Sequence, residues 1–286
     1  MSFQDKLLDS FIAFEQVIDL ENPIHTDRKN ALKRFESKGF PTKKDELWKY
    51  TSLKSITQRD YSLSVKSNPN IGLKDIKKYS INDIDSFKIV FVDGVFNPFL
   101  SNTTHDGKDI CVLSAALSKS KYKKTIKKYF NKIVPDDQSL ASLNTSYTQE
   151  GAYIHIPKSV LPEDPVQILH FSSGKNKPLW LQPRNLIIVE ENARVEIIER
   201  HQSLRANDGV TNSLTEIYAE KNSFVDYYKI QNDLETSNLI DNTFIDQQRD
   251  SNVRVHTFSF GGKLIRNNLN FYHKGENIQS TLKGLT

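Results

Sequence analysis

Three aspartates, Asp241, Asp246 and Asp250, stand close together in the stretch "DNTFIDQQRD". Two carboxylates converging on one cleft are what glycoside hydrolysis requires, so these acids raise the possibility of a carbohydrate-active lyase or hydrolase. Their spacing argues against it. On an extended strand successive side chains face opposite ways; Asp241 and Asp246 have opposite parity, and Asp250 falls in a turn.

The other chemistry-bearing residues read as structural. Cys111 lies in "DICVLSAAL", an apolar context with no nearby His or basic group to favour a thiolate, and is expected to be a buried core thiol. As the single cysteine, it excludes an internal disulfide framework and any Cys-only zinc or iron–sulfur site made by this chain alone. The seven histidines are scattered, without pairs at helical spacing. His256 takes an outward strand position and His273 sits beside a turn, and the histidines are expected at the surface. "KSKYKKTIKK" (119–128) could grip phosphates, but Asp136 and Asp137 follow and Tyr122 alone is interleaved, so it reads as a solvated helix face. "SFGGKLIR" lacks the wider phosphate-loop spacing, and its glycines serve a corner. No residue is assigned a catalytic, cofactor-binding or metal-binding role.

Composition sets the frame for these residues. The 286 residues suffice for a large core, and 39 basic against 35 acidic side chains leave a net charge of +4, too small to argue for nucleic acid. The start "MSFQDKLLDS" places acids where a secretory leader needs a basic and then an apolar stretch. No apolar run approaches a membrane span, and a cytoplasmic protein is expected.

The elements that must position these residues fall into two styles. Phe3, Leu7, Phe11, Phe14 and Ile18 make an amphipathic helical stripe over 3–18. A second helix is expected over 26–38, capped by Thr26, carrying Ala31, Leu32 and Phe35 on its apolar face, and stopped by Gly39 and Pro41. Turn chemistry at Asn68–Pro69–Asn70 marks a connector. "FKIVFVDGVF" (87–96) reads as a strand pair around Asp93–Gly94, and 113–133 as helical. From Gly151 onward strand alternation takes over. The expected domains are an N-terminal helical domain (1–85), an α/β connector (86–150) and a β core (151–286).

That core repeats itself. "VEENARVEI", "AEKNSFVDY", "QRDSNVRVH" and "HKGENIQST" share one pattern, with Asn192, Asn222, Asn252 and Asn277 as phase markers at an almost fixed interval. At one, three and five residues past each marker, nine of twelve side chains are apolar or aromatic; at two and four, seven of eight are polar. A slip of one residue would invert every strand, so agreement in phase across four units is informative. Strand, tight turn, strand and longer link, stacked, make a parallel β-helix rather than a sandwich. Such a stack needs a cap or a partner at its ends; "LKGLT" brings neither a helix nor a polar lid, so either a longer polypeptide or another subunit is expected to cover that end.

"FPTKKDELWKYTSL" (40–53), "LNTSYTQEGAYIHIPKSVLPEDPVQILH" (143–170), "RNLIIVEENARVEIIE" (184–199) and "FSFGGKLIRNNLNFYHKGENIQSTLKGL" (258–285) resemble the SufB/SufD family, with "DELWKYT" pointing to its SufD side. The resemblance spans nearly the whole chain. It implies an N-terminal helical domain, a right-handed parallel β-helix and a C-terminal helical domain that binds the ATPase SufC. It also implies a non-catalytic subunit that pairs with SufB, or with a second copy of itself in isolation. An iron–sulfur cluster would form transiently on the SufBCD complex rather than bind to this chain alone, and assistance with iron acquisition is a further implied role. Family members run well past Thr286, so the chain is expected to be shortened, and the family's interface histidine maps to no position here.

Overall fold

The computed structural model describes residues 2–63, 71–103, 108–174, 177–206 and 208–286. The Asn68–Pro69–Asn70 turn lies outside them.

Helix α1 (Phe3–Glu15) begins with a reciprocal cap: the Asp5 amide donates to Ser2 Oγ at 3.1 Å and the Ser2 amide to Asp5 Oδ2 at 2.9 Å. It buries Phe3, Leu7 and Phe11 and stops before Ile18. Helix α2 (His25–Lys38) starts one residue earlier than expected, after Ile24, so Thr26 lies within the first turn and caps nothing. Asn22 Oδ1 accepts from the Ile24 amide instead, at 3.1 Å, and turns the chain into the helix. Ala31 and Phe35 are buried as expected, and Gly39 at φ 68° ends the helix. Buried Arg28, unforeseen, donates to the Thr148 carbonyl at 3.0 and 2.7 Å. Short helices α3 (Lys54–Thr57) and α4 (Leu73–Ile76) follow.

Strands β1 (Phe87–Val92) and β2 (Val95–Phe96) form the expected hairpin, with Asp93 and Gly94 both at positive φ, 52° and 78°. After β3 (Asp109–Val112), the expected helix is split at extended Lys119 into α5 (Leu113–Ser118) and α6 (Ser120–Tyr129). Tyr122, Ile126 and Tyr129 of α6 face inward while Lys121, Lys123, Lys124, Lys127 and Lys128 are exposed. The lysine run is a solvated face. Cys111 is buried, and burial pushes its thiol up to about 11. Helix α7 (Ser139–Ser146) is buried along its length.

The remainder winds into coils. Strands β4 (Ala152–Ile156), β5 (Val166–Ser172), β6 (Trp180–Leu181), β7 (Arg184–Val189), β8 (Arg194–Ser203), β9 (Val210–Ala219), β10 (Phe224–Asn232), β11 (Asn238–Gln247), β12 (Asn252–Ser259), β13 (Leu264–His273) and β14 (Gln279–Leu285) follow in order. One sheet runs β14-β12-β10-β8-β5-β1-β2 and the other β13-β11-β9-β7-β4-β3, and every pair between coils is parallel. The expected β-solenoid is present. Val195, Val225 and Val253 occupy one register line, and Ile197, Tyr227, Val255 and Leu282 the next. The residues of both lines on β8, β10 and β12 are buried between the sheets.

The tight turns explain the phase. Asn192, Asn222, Asp250 and Asn277 adopt φ of 59°, 52°, 60° and 55°. Asp250, rather than the expected Asn252, makes the third turn, which spaces the turns more evenly than the expected markers do. Asn and Asp tolerate this left-handed conformation best among residues with a Cβ. The two-residue offset leaves the parity intact, which is why the inward positions of β12 are still identified correctly. The turn side chains also bond from coil to coil: Asn222 Nδ2 donates to Asn192 Oδ1 at 2.7 Å and Asn277 Nδ2 to Asp250 Oδ1 at 3.1 Å. Gly261 and Gly262, at φ 78° and 86°, make the corner between β12 and β13.

One carboxyl in this frame titrates unusually. Glu150, half-buried between α7 and β4, is pushed up to about 7 by burial, against the lowering effect of the Ser114 hydroxyl that donates to it at 3.0 Å. Its folded pKa exceeds the unfolded value, so the folded state holds the extra proton. Stability from this group is present below the unfolded pKa, falls as pH rises through the range up to about 7, and is flat above. Glu150→Gln is expected to remove that fall and to be more stable than the parent at pH 8 by about 1–2 kcal/mol, discounted for partial exposure. Urea midpoints at pH 5 and pH 8 measure it; parallel pH profiles for parent and variant contradict it.

Candidate functional site

The interior of the solenoid changes character along each strand. Near the tight turns the inward residues are apolar: Val195 and Ile197 on β8, Val225 and Tyr227 on β10, Ile187 and Val189 on β7, Ile217 and Ala219 on β9. Toward the longer links the same inward parity carries Glu199 and His201 on β8, Lys229 and Gln231 on β10, His170 on β5, Asn185 on β7 and Asp241 and Thr243 on β11. The lumen is therefore half oil and half charge.

Glu199, with no solvent exposure, is the hub. Asn185 Nδ2 donates to its Oε1 at 3.0 Å, His201 Nε2 lies 3.3 Å and His170 Nε2 3.4 Å from the same oxygen, and the Tyr227 hydroxyl donates to Oε2. His170 and His201 are register partners on β5 and β8, and their rings stack at 4.6 Å with an interplanar angle of 9°. Phe91 stacks on the other face of His170 at 4.9 Å. Beside this group, Lys229 Nζ pairs with Asp241 Oδ2 at 2.5 Å and donates to Thr243 Oγ1 at 2.6 Å.

A carboxylate out of water is expensive unless it is paired and hydrogen-bonded. Burial drives the Glu199 pKa up, yet the His170 and His201 contacts and the positive charges of His201 and Lys229 outweigh it and hold the carboxyl well below its usual range. Burial opposes the charge on both histidines. Glu199 overcomes that for His201, whose pKa is raised, while His170 stays lowered. The surroundings thus favour the charged form of Glu199 and of His201 and oppose that of His170. A pocket of about 20 Å³, room for one water, adjoins both rings and is also lined by Ser172, Leu181, Gln202 and Asp233.

The residues singled out from sequence end elsewhere. Asp241 points into the lumen, Asp246 is on the opposite face against Lys274 Nζ at 2.5 Å, and Asp250 makes a turn, so the three converge on no cleft. His256 faces outward and stacks on Tyr228, and His273 accepts or donates a hydrogen bond with Ser280 Oγ at 2.9 Å. His170 and His201 correct the expectation of surface histidines: both are buried. His155 contacts Glu190 at 2.8 Å, His25 lies 3.3 Å from Glu15, and His105 is outside the described residues. The signal for Glu199, His201 and Lys229 was available. They lie at odd offsets from the turn residues Asn192 and Asn222, on the parity that faces the core.

Comparison with known proteins covers the whole of this architecture. Residues 1–168 match the SufBD protein N-terminal region, and residues 170–286 match the SufBD core domain of the SUF system for FeS cluster assembly. An iron–sulfur cluster assembly SufBD family protein of Synechocystis is 26% identical over 267 residues, covering 91% of this chain and 58% of its own length. The iron–sulfur cluster assembly protein SufD of Escherichia coli is 24% identical over 251 residues, covering 86% of this chain and 54% of its own. SufD of Bacillus subtilis is 24% identical over 190 residues, covering 65% and 42%. The chain spans about half the length of the curated relatives it matches. Among the described residues no helix is long and apolar enough to cross a membrane.

Proposed function

The chain belongs to the SufBD family, and from that premise we propose that it is a non-catalytic scaffold subunit for iron–sulfur cluster assembly, pairing with a SufB-type subunit and coupled to a SufC-type ATPase in the cytoplasm. The observation that carries this reading is the joint match of N-terminal and core regions to a chain whose β-solenoid is continuous through both. The divergence of Asp241, Asp246 and Asp250 supports a scaffold over a carbohydrate-active solenoid, because glycoside cleavage needs two carboxylates on one cleft.

The cluster itself is read as transient cargo of the complex, since the single cysteine is buried and its pKa is raised.

Affinity capture of the tagged protein, co-expressed with the SufB- and SufC-type proteins of its own genome, tests the assignment. Near-stoichiometric recovery of the SufB-type chain is the expected result. Recovery of neither partner, with the protein folded by circular dichroism, overturns it.

A further inference from the structure

We propose that His170, Glu199 and His201 form a three-donor site inside the solenoid for a divalent first-row transition metal ion, with Fe(II) as its cargo. The choice of iron rests on the scaffold reading above; the existence of the site does not.

The three donor atoms lie within 4.8 Å of one another. Two of the three edges are known more closely: 3.3 Å from Glu199 Oε1 to His201 Nε2 and 3.4 Å to His170 Nε2. Donors at about 2.0–2.1 Å from a tetrahedral ion stand about 3.4 Å apart. Two edges already have that length, and because the two rings stand parallel at 9°, the His201 ring must turn out of the stack for both Nε2 lone pairs to meet one ion. The donor set, two imidazoles and a carboxylate, suits Fe(II) and Zn(II) rather than Mg(II) or Ca(II).

Two further observations point to a ligand here. The side chain of His170 is nine-tenths buried, and its Nε2, 3.4 Å from Glu199 Oε1, makes no aligned hydrogen bond. A buried ring nitrogen held only by that long contact has capacity for a ligand. A pocket of about 20 Å³, room for one water, touches both rings, so a solvent molecule can reach the histidine side of the group. Catalytic metal sites keep a position open to water, whereas structural ones are closed by protein.

The surrounding residues hold the donors as outer contacts do in metal centres. Phe91 fixes the plane of His170, while Asn185 and Tyr227 bind the two oxygens of Glu199. Lys229, the nearby cation, is already paired with Asp241, so its repulsion of an incoming ion is partly neutralised. Glu199 contributes one negative charge to offset the ion's two.

The test is anaerobic titration of the purified protein with Fe(II), Zn(II) and Co(II), read by equilibrium dialysis and, for Co(II), by the visible absorption of a low-coordinate ion. One ion per chain is expected for each metal. His170→Phe, which preserves the ring stack, and His201→Ala are each expected to weaken binding by at least about 100-fold, more than the 10- to 100-fold lost with outer contacts. His155→Ala, at the separate contact with Glu190, is expected to bind as the parent does. Should either variant fail to fold, X-ray absorption of the Fe(II)-loaded parent decides: two imidazoles and a carboxylate are expected, and a shell of oxygen alone overturns the site. Absence of stoichiometric binding, or binding that survives both histidine changes, also overturns it. Binding of Zn(II) with no binding of Fe(II) overturns the iron cargo. Partner capture and metal binding measured on the parent separate the two readings: pairing without stoichiometric metal removes the site alone, and metal without pairing removes the scaffold assignment alone.

Discussion

Glu216→Ala is expected to lower the unfolding free energy by roughly 3–5 kcal/mol, the cost of leaving a buried charge without its partner. Glu216 and Arg184 are both fully buried and pair at 2.5 Å from Oε1 to the guanidinium. They lie on the face of the second sheet away from the lumen, under the helices. Arg184 also donates to Thr145 Oγ1 of α7 at 2.9 Å and lies over the Phe130 ring at 4.6 Å, and Glu216 Oε1 accepts from the Asn131 amide at 2.8 Å. The pair therefore stitches α7 and the end of α6 to β7 and β9. Removing the carboxylate strands a guanidinium where no water reaches it. Replacing both residues together, Arg184→Leu with Glu216→Leu, is expected to recover much of the loss, because no lone charge remains. Denaturant unfolding of the three variants measures this. A Glu216→Ala protein within about 0.5 kcal/mol of the parent, the range of an ordinary surface substitution, contradicts the argument.

How much of this was legible follows from how local each cause is. The solenoid was visible because its cause is a period of two carried through four strands, and parity survives even where a marker is misplaced, as with Asp250 and Asn252. The α1 stripe and the Asp93–Gly94 hairpin were visible for the same reason: each is set by residues a few positions apart. What escaped depends on distant partners. Arg28 is buried because the Thr148 carbonyl waits for it 120 residues away. Glu199 drew no expectation, and His170 and His201 were expected at the surface with the other histidines, because charged and titratable side chains normally face water. Counting on from Asn192 past the apolar positions places Glu199 and His201 inside, but only the stacking of β5 on β8 sets His170 beside them. In sequence His170 stands a whole coil away from the other two, a separation that carries no metal-ligand signature; the winding of the solenoid converts it into contact.

Gly151 is the glycine on which that register rests, and Gly151→Ala is expected to cost at least roughly 3 kcal/mol, the upper end of what overpacking costs. It adopts φ 156°, and a Cβ there would fall 1.8 Å from the Arg184 carbonyl oxygen and 2.4 Å from its carbon. The obstacle is backbone, which no rotamer change can clear. Two hydrogen bonds fix that backbone in place: the Leu113 amide donates to the Gly151 carbonyl at 2.7 Å, and the Arg184 amide to the Glu150 carbonyl at 3.0 Å. Relief would require β4 to part from β7, and the break would travel inward. The Ala152 amide donates to Asn185 Oδ1 at 2.9 Å, and the other end of the same Asn185 amide donates to Glu199. A methyl group at the start of one strand thus loosens the carboxylate at the centre of the lumen. Gly284→Ala is the matched control: a Cβ there meets nothing within 4 Å, and it is expected to be neutral to within about 0.5 kcal/mol. Hydrogen exchange of the β4 and β7 amides, compared between the two variants, checks both claims. Equal protection in both, with equal unfolding midpoints, would show that β4 and β7 can part without cost and that Asn185 does not depend on them for its position.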